Sequence, residues 1–106
     1  MITEKLVEKI RKINSLIKDL DKDYEKSNSY SLKSMKEHVK EIEELFLKND
    51  EHWKAEIIDL LIHCLLMLER NHCQQEEMKE LLNIRFRKFE EKILKQLNPV
   101  RNNSTY

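Results

Sequence analysis

At 106 residues, with 40% apolar and 38% charged side chains, no glycine and one proline, the chain has the length of one domain and too few turn-formers for β structure. Its 20 basic and 20 acidic residues cancel, which removes the basic footprint that a nucleic-acid-binding surface requires. No stretch is long and charge-free enough to span a membrane, and residues 1–20 lack the apolar core of a signal peptide, so no membrane association and a cytoplasmic location are expected.

Glu, Lys and Leu dominate the composition and favour helices, and periodicity divides the chain into four. The first is expected over 3–26, with Leu6, Ile10, Ile13, Ile17 and Leu20 on one face. A polar break at 27–30 follows, then a second helix over 31–48 whose stripe is Leu32, Met35, Val39, Ile42 and Phe46. The third runs over 51–70. The fourth starts near Gln74 and carries Met78, Leu81, Phe89 and Ile93. Without glycine, helix ends need another residue that tolerates the left-handed conformation, and asparagine is the usual substitute. Asn28, Asn49, Asn71 and Asn98 stand at the four expected ends. Pro99 then blocks continuation. The expectation is an all-α, mainly antiparallel four-helix bundle forming one domain over 1–98, with a flexible tail at 99–106.

The third helix, Glu56-Ile57-Ile58-Asp59-Leu60-Leu61-Ile62-His63-Cys64-Leu65-Leu66-Met67-Leu68, is apolar nearly all round. Such a helix is normally the buried one, so Ile57, Leu61, Cys64, Leu65 and Leu68 are expected in the core. A short chain covers so apolar a helix incompletely, and homo-oligomerisation through the second and third helices, as a dimer or tetramer, is expected. Its one polar seam consists of Glu56, Asp59, His63 and Arg70. Carboxylates on a buried helix are costly unless they neutralise, find a partner or bind a metal. Glu41 and Glu44 form a second pair at the same spacing on the second helix. Residues three apart share a helix face, so the pattern Glu-x-x-Glu, eleven residues, Glu-x-x-Asp converges four carboxylates on a hard divalent cation such as Mg²⁺. Cys64 is a small core residue and Cys73 lies at a helix junction. With His63 and His72 they match no standard zinc spacing.

These motifs resemble the all-α nucleotide pyrophosphohydrolases of the MazG-like superfamily over residues 34–93. Lys40-Glu41-Ile42-Glu43-Glu44-Leu45 is similar to the family's acidic second-helix motif, and Glu56-Ile57-Ile58-Asp59-Leu60-Leu61 to its third-helix motif. Gln75-Glu76-Glu77 followed by Asn83-Ile84-Arg85-Phe86-Arg87-Lys88-Phe89 is similar to its Asn-x-basic-Phe-x-basic ending. Lys40 and Glu43 depart from the Glu and Gly that the family often has there, which leaves substrate choice open. The resemblance implies an enzyme cleaving a nucleoside triphosphate to the monophosphate and pyrophosphate. Mg²⁺, or Mn²⁺ in its place, would be held by Glu41, Glu44, Glu56 and Asp59, which are also the implied catalytic residues. Asn83, Arg85 and Lys88 would contact the phosphates or sugar of the nucleotide substrate.

Two other readings stay open. Asp59-Leu60-Leu61-Ile62-His63 also resembles the third helix of phosphoribosyl-ATP pyrophosphohydrolase, whose glycine-containing acidic motif is absent here. A catalytically silent helical interaction module would use the same seam for ion pairs, with Glu56 or Asp59 facing Arg70 or a base on another helix.

Overall fold

A computed structural model describes residues 3–98. The chain is all-α, with helices α1 (Glu4–Leu20), α2 (Glu25–Leu47), α3 (Trp53–Arg70) and α4 (Gln75–Leu97). No described helix is long and apolar enough to cross a membrane. Where the composition suggests one domain over 1–98, the chain divides into two compact units, Met1–Cys73 and Gln74–Tyr106. Pro99 and the expected tail at 99–106 lie outside the described residues.

Helix α1 begins at Thr3, whose hydroxyl accepts from the Leu6 N–H at 3.2 Å, and it ends at Leu20 rather than at the expected 26. The break is set by Asp21 and Asp23, not by the serine and asparagine run after them. Asp21 accepts from the Ser27 N–H and hydroxyl at 2.6 and 2.8 Å, and Asp23 from the Glu25 N–H at 3.0 Å. These carboxylates satisfy N–H groups that an emerging helix leaves orphaned, so α2 starts six residues before the expected 31. Tyr24 makes the reversal with φ 62°, and Asn28 lies inside the helix instead of ending one.

The asparagine expectation holds at one of the other ends. Asn49 adopts φ 59°, and the N–H groups of Asn49 and Asp50 donate to the carbonyls of Phe46 and Leu45, the paired bonds of a Schellman motif. At the end of α3 the same two bonds run from His72 to Glu69 and from Cys73 to Leu68. There the left-handed residue is His72, at φ 67°. Asn71 keeps φ −100° because its side-chain amide is engaged, donating to the Met67 carbonyl at 2.8 Å and to Asn28 at 3.0 Å. Asn98 caps α4 at φ −126° and is not left-handed.

In the first unit α3 packs against both α1 and α2. The α2–α3 pair is antiparallel: Asn28 meets Asn71, Ser31 meets Arg70, His38 meets Glu56, and Phe46 meets Trp53 edge-on at 5.4 Å. The face that α2 turns to α3 is therefore Ser31, Ser34 and His38. The expected apolar stripe is exposed at Leu32 and Val39, and Phe46 is exposed although its ring meets Trp53, while Met35 and Ile42 are half-buried. A polar seam on α3 selects polar partners, and this overrides hydrophobic periodicity. On α1 the inward residues are Val7, Ile10 and Asn14, with Ile13 and Leu20 exposed. Of the five core residues expected on α3, Leu65 is buried and Cys64 half-buried, whereas Ile57, Leu61 and Leu68 are exposed. Two neighbours cover only part of the circumference of a helix that is apolar all round.

Three helices meet at Arg70, which is 4% exposed. Its Nε donates to Asn14 Oδ1 at 3.3 Å, and its Nη1 to Asn28 Oδ1 at 3.3 Å and Ser31 Oγ at 3.0 Å. Asn14, 1% exposed, donates in turn to the Leu66 carbonyl at 3.0 Å and to Glu69 at 2.9 Å. The Tyr24 hydroxyl donates to the Asn14 carbonyl at 3.2 Å.

Helix α4 opens with Glu76 and Glu77 in its first turn, where acidic groups complement the helix dipole. It carries an i,i+3 ion pair, Glu76 to Lys79, at 3.7 Å.

Removing Asn14 strips Arg70 of its Nε acceptor and Glu69 of its Asn14 donor. Asn14→Ala is expected to cost about 2–4 kcal/mol, because buried donors and acceptors lose their partners. Urea denaturation of the variant beside the parent checks this, and a loss under about 0.5 kcal/mol, the range of an ordinary surface change, would refute the central role of the network.

Candidate functional site

The polar seam expected along α3 is present, and α2 lies against it. Near its N-terminal end Glu56 Oε2 and His38 Nδ1 are 2.5 Å apart. Asp59 joins them: one ligand atom from each of His38, Glu56 and Asp59 lies within 4.8 Å of the others. Glu41, one turn beyond His38 on α2, stands close enough to Glu56 for the two carboxyls to shift each other's pKa. Of the four carboxylates expected to converge, the structure thus brings together Glu41, Glu56 and Asp59.

Glu44 is exposed and takes no part in that cluster. The reason is rotational. Measured round α2 from His38, Glu41 lies about 60° away and Glu44 about 120°, so when His38 faces α3 the second glutamate of the pair is carried outward. His38 is the member that spacing alone did not single out. Extending the Glu-x-x-Glu stripe back by one turn gives His38-x-x-Glu41, which is the signal that would have found it.

The electrostatics follow from this crowding. Glu56 is held below the usual carboxylate range by its bonds from His38 and then Glu41, so the His38 Nδ1–H donates to an ionised Glu56. Glu41 is pushed up, first by the hydrogen bond with Glu56 and then by the negative charge of that group. Two carboxylates in contact with one imidazole cannot both ionise at little cost.

His63 continues the seam one turn past Asp59. Its ring tilts against that of His38 at 5.3 Å between centroids and meets Tyr30 edge-on at 6.5 Å. Its Nδ1 is enclosed without a hydrogen-bond partner among the described residues. Burial, with the nearby His38, pushes its pKa down from 6.5, only partly opposed by Asp59. The seam then ends at Arg70.

The three residues expected to contact substrate, Asn83, Arg85 and Lys88, are on α4 and are exposed. The Arg85 guanidinium lies over the ring of Phe89, one turn on, at 5.7 Å. Comparison with models of protein families, with curated proteins and with solved structures gave no match to this chain.

The depressed pKa of His63 has a definite sign in stability. An unfolded chain binds a proton here near pH 6.5 while the folded one resists it, so stability is full above pH 6.5 and falls as pH drops through that value toward the lower folded pKa. Urea unfolding at pH 7.5 and 5.5 with a chelator present is expected to show this loss. His63→Phe should remove the His63 share, and an unchanged pH dependence in the variant would show that the ring titrates freely.

Proposed function

We propose that the chain is a divalent-cation-dependent nucleotide pyrophosphohydrolase of MazG-like type, acting on a nucleoside triphosphate. The observation that carries this reading is the convergence of Glu56 and Asp59 on α3 with His38 and Glu41 on α2, at the helix pair where the sequence resemblance puts its acidic motifs. The donor set fits the ion. Carboxylate oxygens suit Mg²⁺, and an imidazole nitrogen beside them extends the set to Mn²⁺. Held there by Glu41, Glu56 and Asp59, the cation would neutralise charge developing on the phosphate oxygens.

The chain's own groups have separable parts in this scheme. Glu56, ionised and hydrogen-bonded to His38, is held in one orientation. Glu41, beside it with its pKa raised, is the more basic of the two carboxylates and the one suited to take a proton from an attacking water. No serine or cysteine nucleophile is needed, since phosphoryl-type transfer rests on positioning and electrostatics. Asn83, Arg85 and Lys88 are assigned to the nucleotide by the resemblance alone.

One observation favours a second reading, the silent interaction module. Glu56 already has protein partners, so the seam closes without an ion. A thermal shift separates the two: Mg²⁺ or Mn²⁺ at millimolar concentration raises Tm if the cluster binds it and leaves Tm unchanged if the seam is only structural.

The exposed apolar residues of α2 and α3, among them Val39, Phe46, Ile58 and Ile62, support homo-oligomerisation as part of the proposal, as a dimer or tetramer. A strictly monomeric species in light scattering at micromolar concentration would remove it.

Pyrophosphate release from a panel of nucleoside triphosphates with Mg²⁺ tests the activity. Asp59→Asn is expected to lower turnover by about 10²-fold or more, on the scale of removing one electrostatic stabiliser, with the fold retained. Glu44→Gln should have a far smaller effect. Equal losses at both positions would reject the cluster as the catalytic centre.

A further inference from the structure

A cavity of about 300 Å³ opens between the end of α1, the start of α2 and the C-terminal half of α3. Its apolar walls include Ile17, Leu20, Tyr30 and Leu66, and Arg70 lines it as the buried cation. The guanidinium has three bonds, all to neutral acceptors and all from Nε and Nη1. No carboxylate among the described residues lies within ion-pair distance of it, and none of them accepts from Nη2. The nearest negative groups, Asp21 and Glu69, act on Arg70 through space without pairing to it: Asp21, which also lines the cavity, is bonded to the Ser27 N–H and hydroxyl, and Glu69 to Asn14. Lys26 adds a second positive charge to the lining.

A guanidinium withdrawn from water is normally matched by an anion, because its desolvation is costly and its donors are strongest toward charged acceptors. Here the fold supplies neutral oxygens, and Arg70 lines an apolar space large enough for an aromatic ring with a substituent. We propose that this cavity is a binding site for a small organic anion, an apolar ring-sized body bearing one carboxylate or phosphate group. The anionic group pairs with Arg70, and the body packs against Leu66, Ile17 and the ring of Tyr30. The site is distinct from the acidic cluster at Glu56, and its test needs no catalytic activity.

The probes are benzoate and phenyl phosphate, with benzyl alcohol as a neutral counterpart and inorganic phosphate as an anion without the apolar body. Binding to the full chain is followed by amide chemical shifts in NMR titrations. The two aromatic anions are expected to bind saturably, with shifts centred on Tyr30, Leu66 and Arg70, and at least about tenfold more tightly than either control. Whichever anion binds more tightly identifies the preferred group, and either order supports the site.

Arg70→Gln removes the charge but also disturbs the three-helix junction, so the deciding variants are at Leu20, which lines the cavity and is 90% exposed. Leu20→Asp should weaken anion binding several-fold at low salt and Leu20→Lys should tighten it, with benzyl alcohol indifferent to both. Absence of saturable binding by either aromatic anion up to about 10 mM, a weak limit on the affinity scale, overturns the proposal. So does inorganic phosphate binding as tightly as phenyl phosphate, or affinities that ignore the charge at position 20.

Discussion

Burying one guanidinium is the constraint from which most of the first unit follows. Arg70 stands at the last turn of an apolar helix, and a charge placed there must be surrounded by acceptors or the helix cannot pack. The acceptors come from two other helices, Asn14 on α1 and Asn28 and Ser31 on α2. Each can reach only from one rotation and one height. That requirement fixes the registers of α1 and α2 on α3 more sharply than Val7, Ile10, Leu65 and Leu66 do, since aliphatic contacts tolerate sliding. It also explains why α2 begins at Glu25. Asn28 and Ser31 have to be helical to face Arg70 together, and Asp21 and Asp23 supply the acceptors that start the helix early enough.

The same constraint separates what sequence periodicity could show from what it could not. Four helices, their all-α class and the polar seam on α3 were legible because they rest on composition and on spacing within one segment. The seam's partners were not, because they rest on how two segments face one another. Leu32, Val39 and Phe46 mark an apolar stripe on α2 and would be its inner face in a bundle with an apolar core. In this pair the inner face is Ser31, Ser34 and His38, chosen by Arg70, Glu56 and His63 across the interface. His38 escaped notice for the same reason, and Glu44 was included because a Glu-x-x-Glu pair does not say which of its members points inward. At the helix ends, Asn71 lost the left-handed position to His72 because its amide had another use.

Along α3 the seam changes sign. Glu56 and Asp59 lie at its N-terminal end and Arg70 at its C-terminal end, roughly 20 Å from Glu56 at the helical rise. His63 stands between them with its charged form disfavoured by burial. A neutral imidazole there avoids adding a cation next to Arg70 and keeps the acidic end from being neutralised by a second internal base. Each end thus keeps its own sign of charge. The acidic end has more carboxylate than its one histidine can satisfy, and the basic end has a guanidinium edge without an acceptor.

The crowding of Glu41 against Glu56 bears on what the acidic end can do. Were the cluster only a structural ion pair, His38 and Glu56 would suffice, and Glu41 would gain by pointing into water from an exposed helix position. Instead it stands close enough to Glu56 for its pKa to be raised, although the residue itself is exposed. A divalent cation, were the cluster to bind one, would favour both carboxylates ionised. Under the proposed metal-dependent reading such a cation would compete with protons at these carboxylates, so its binding would strengthen as pH rises.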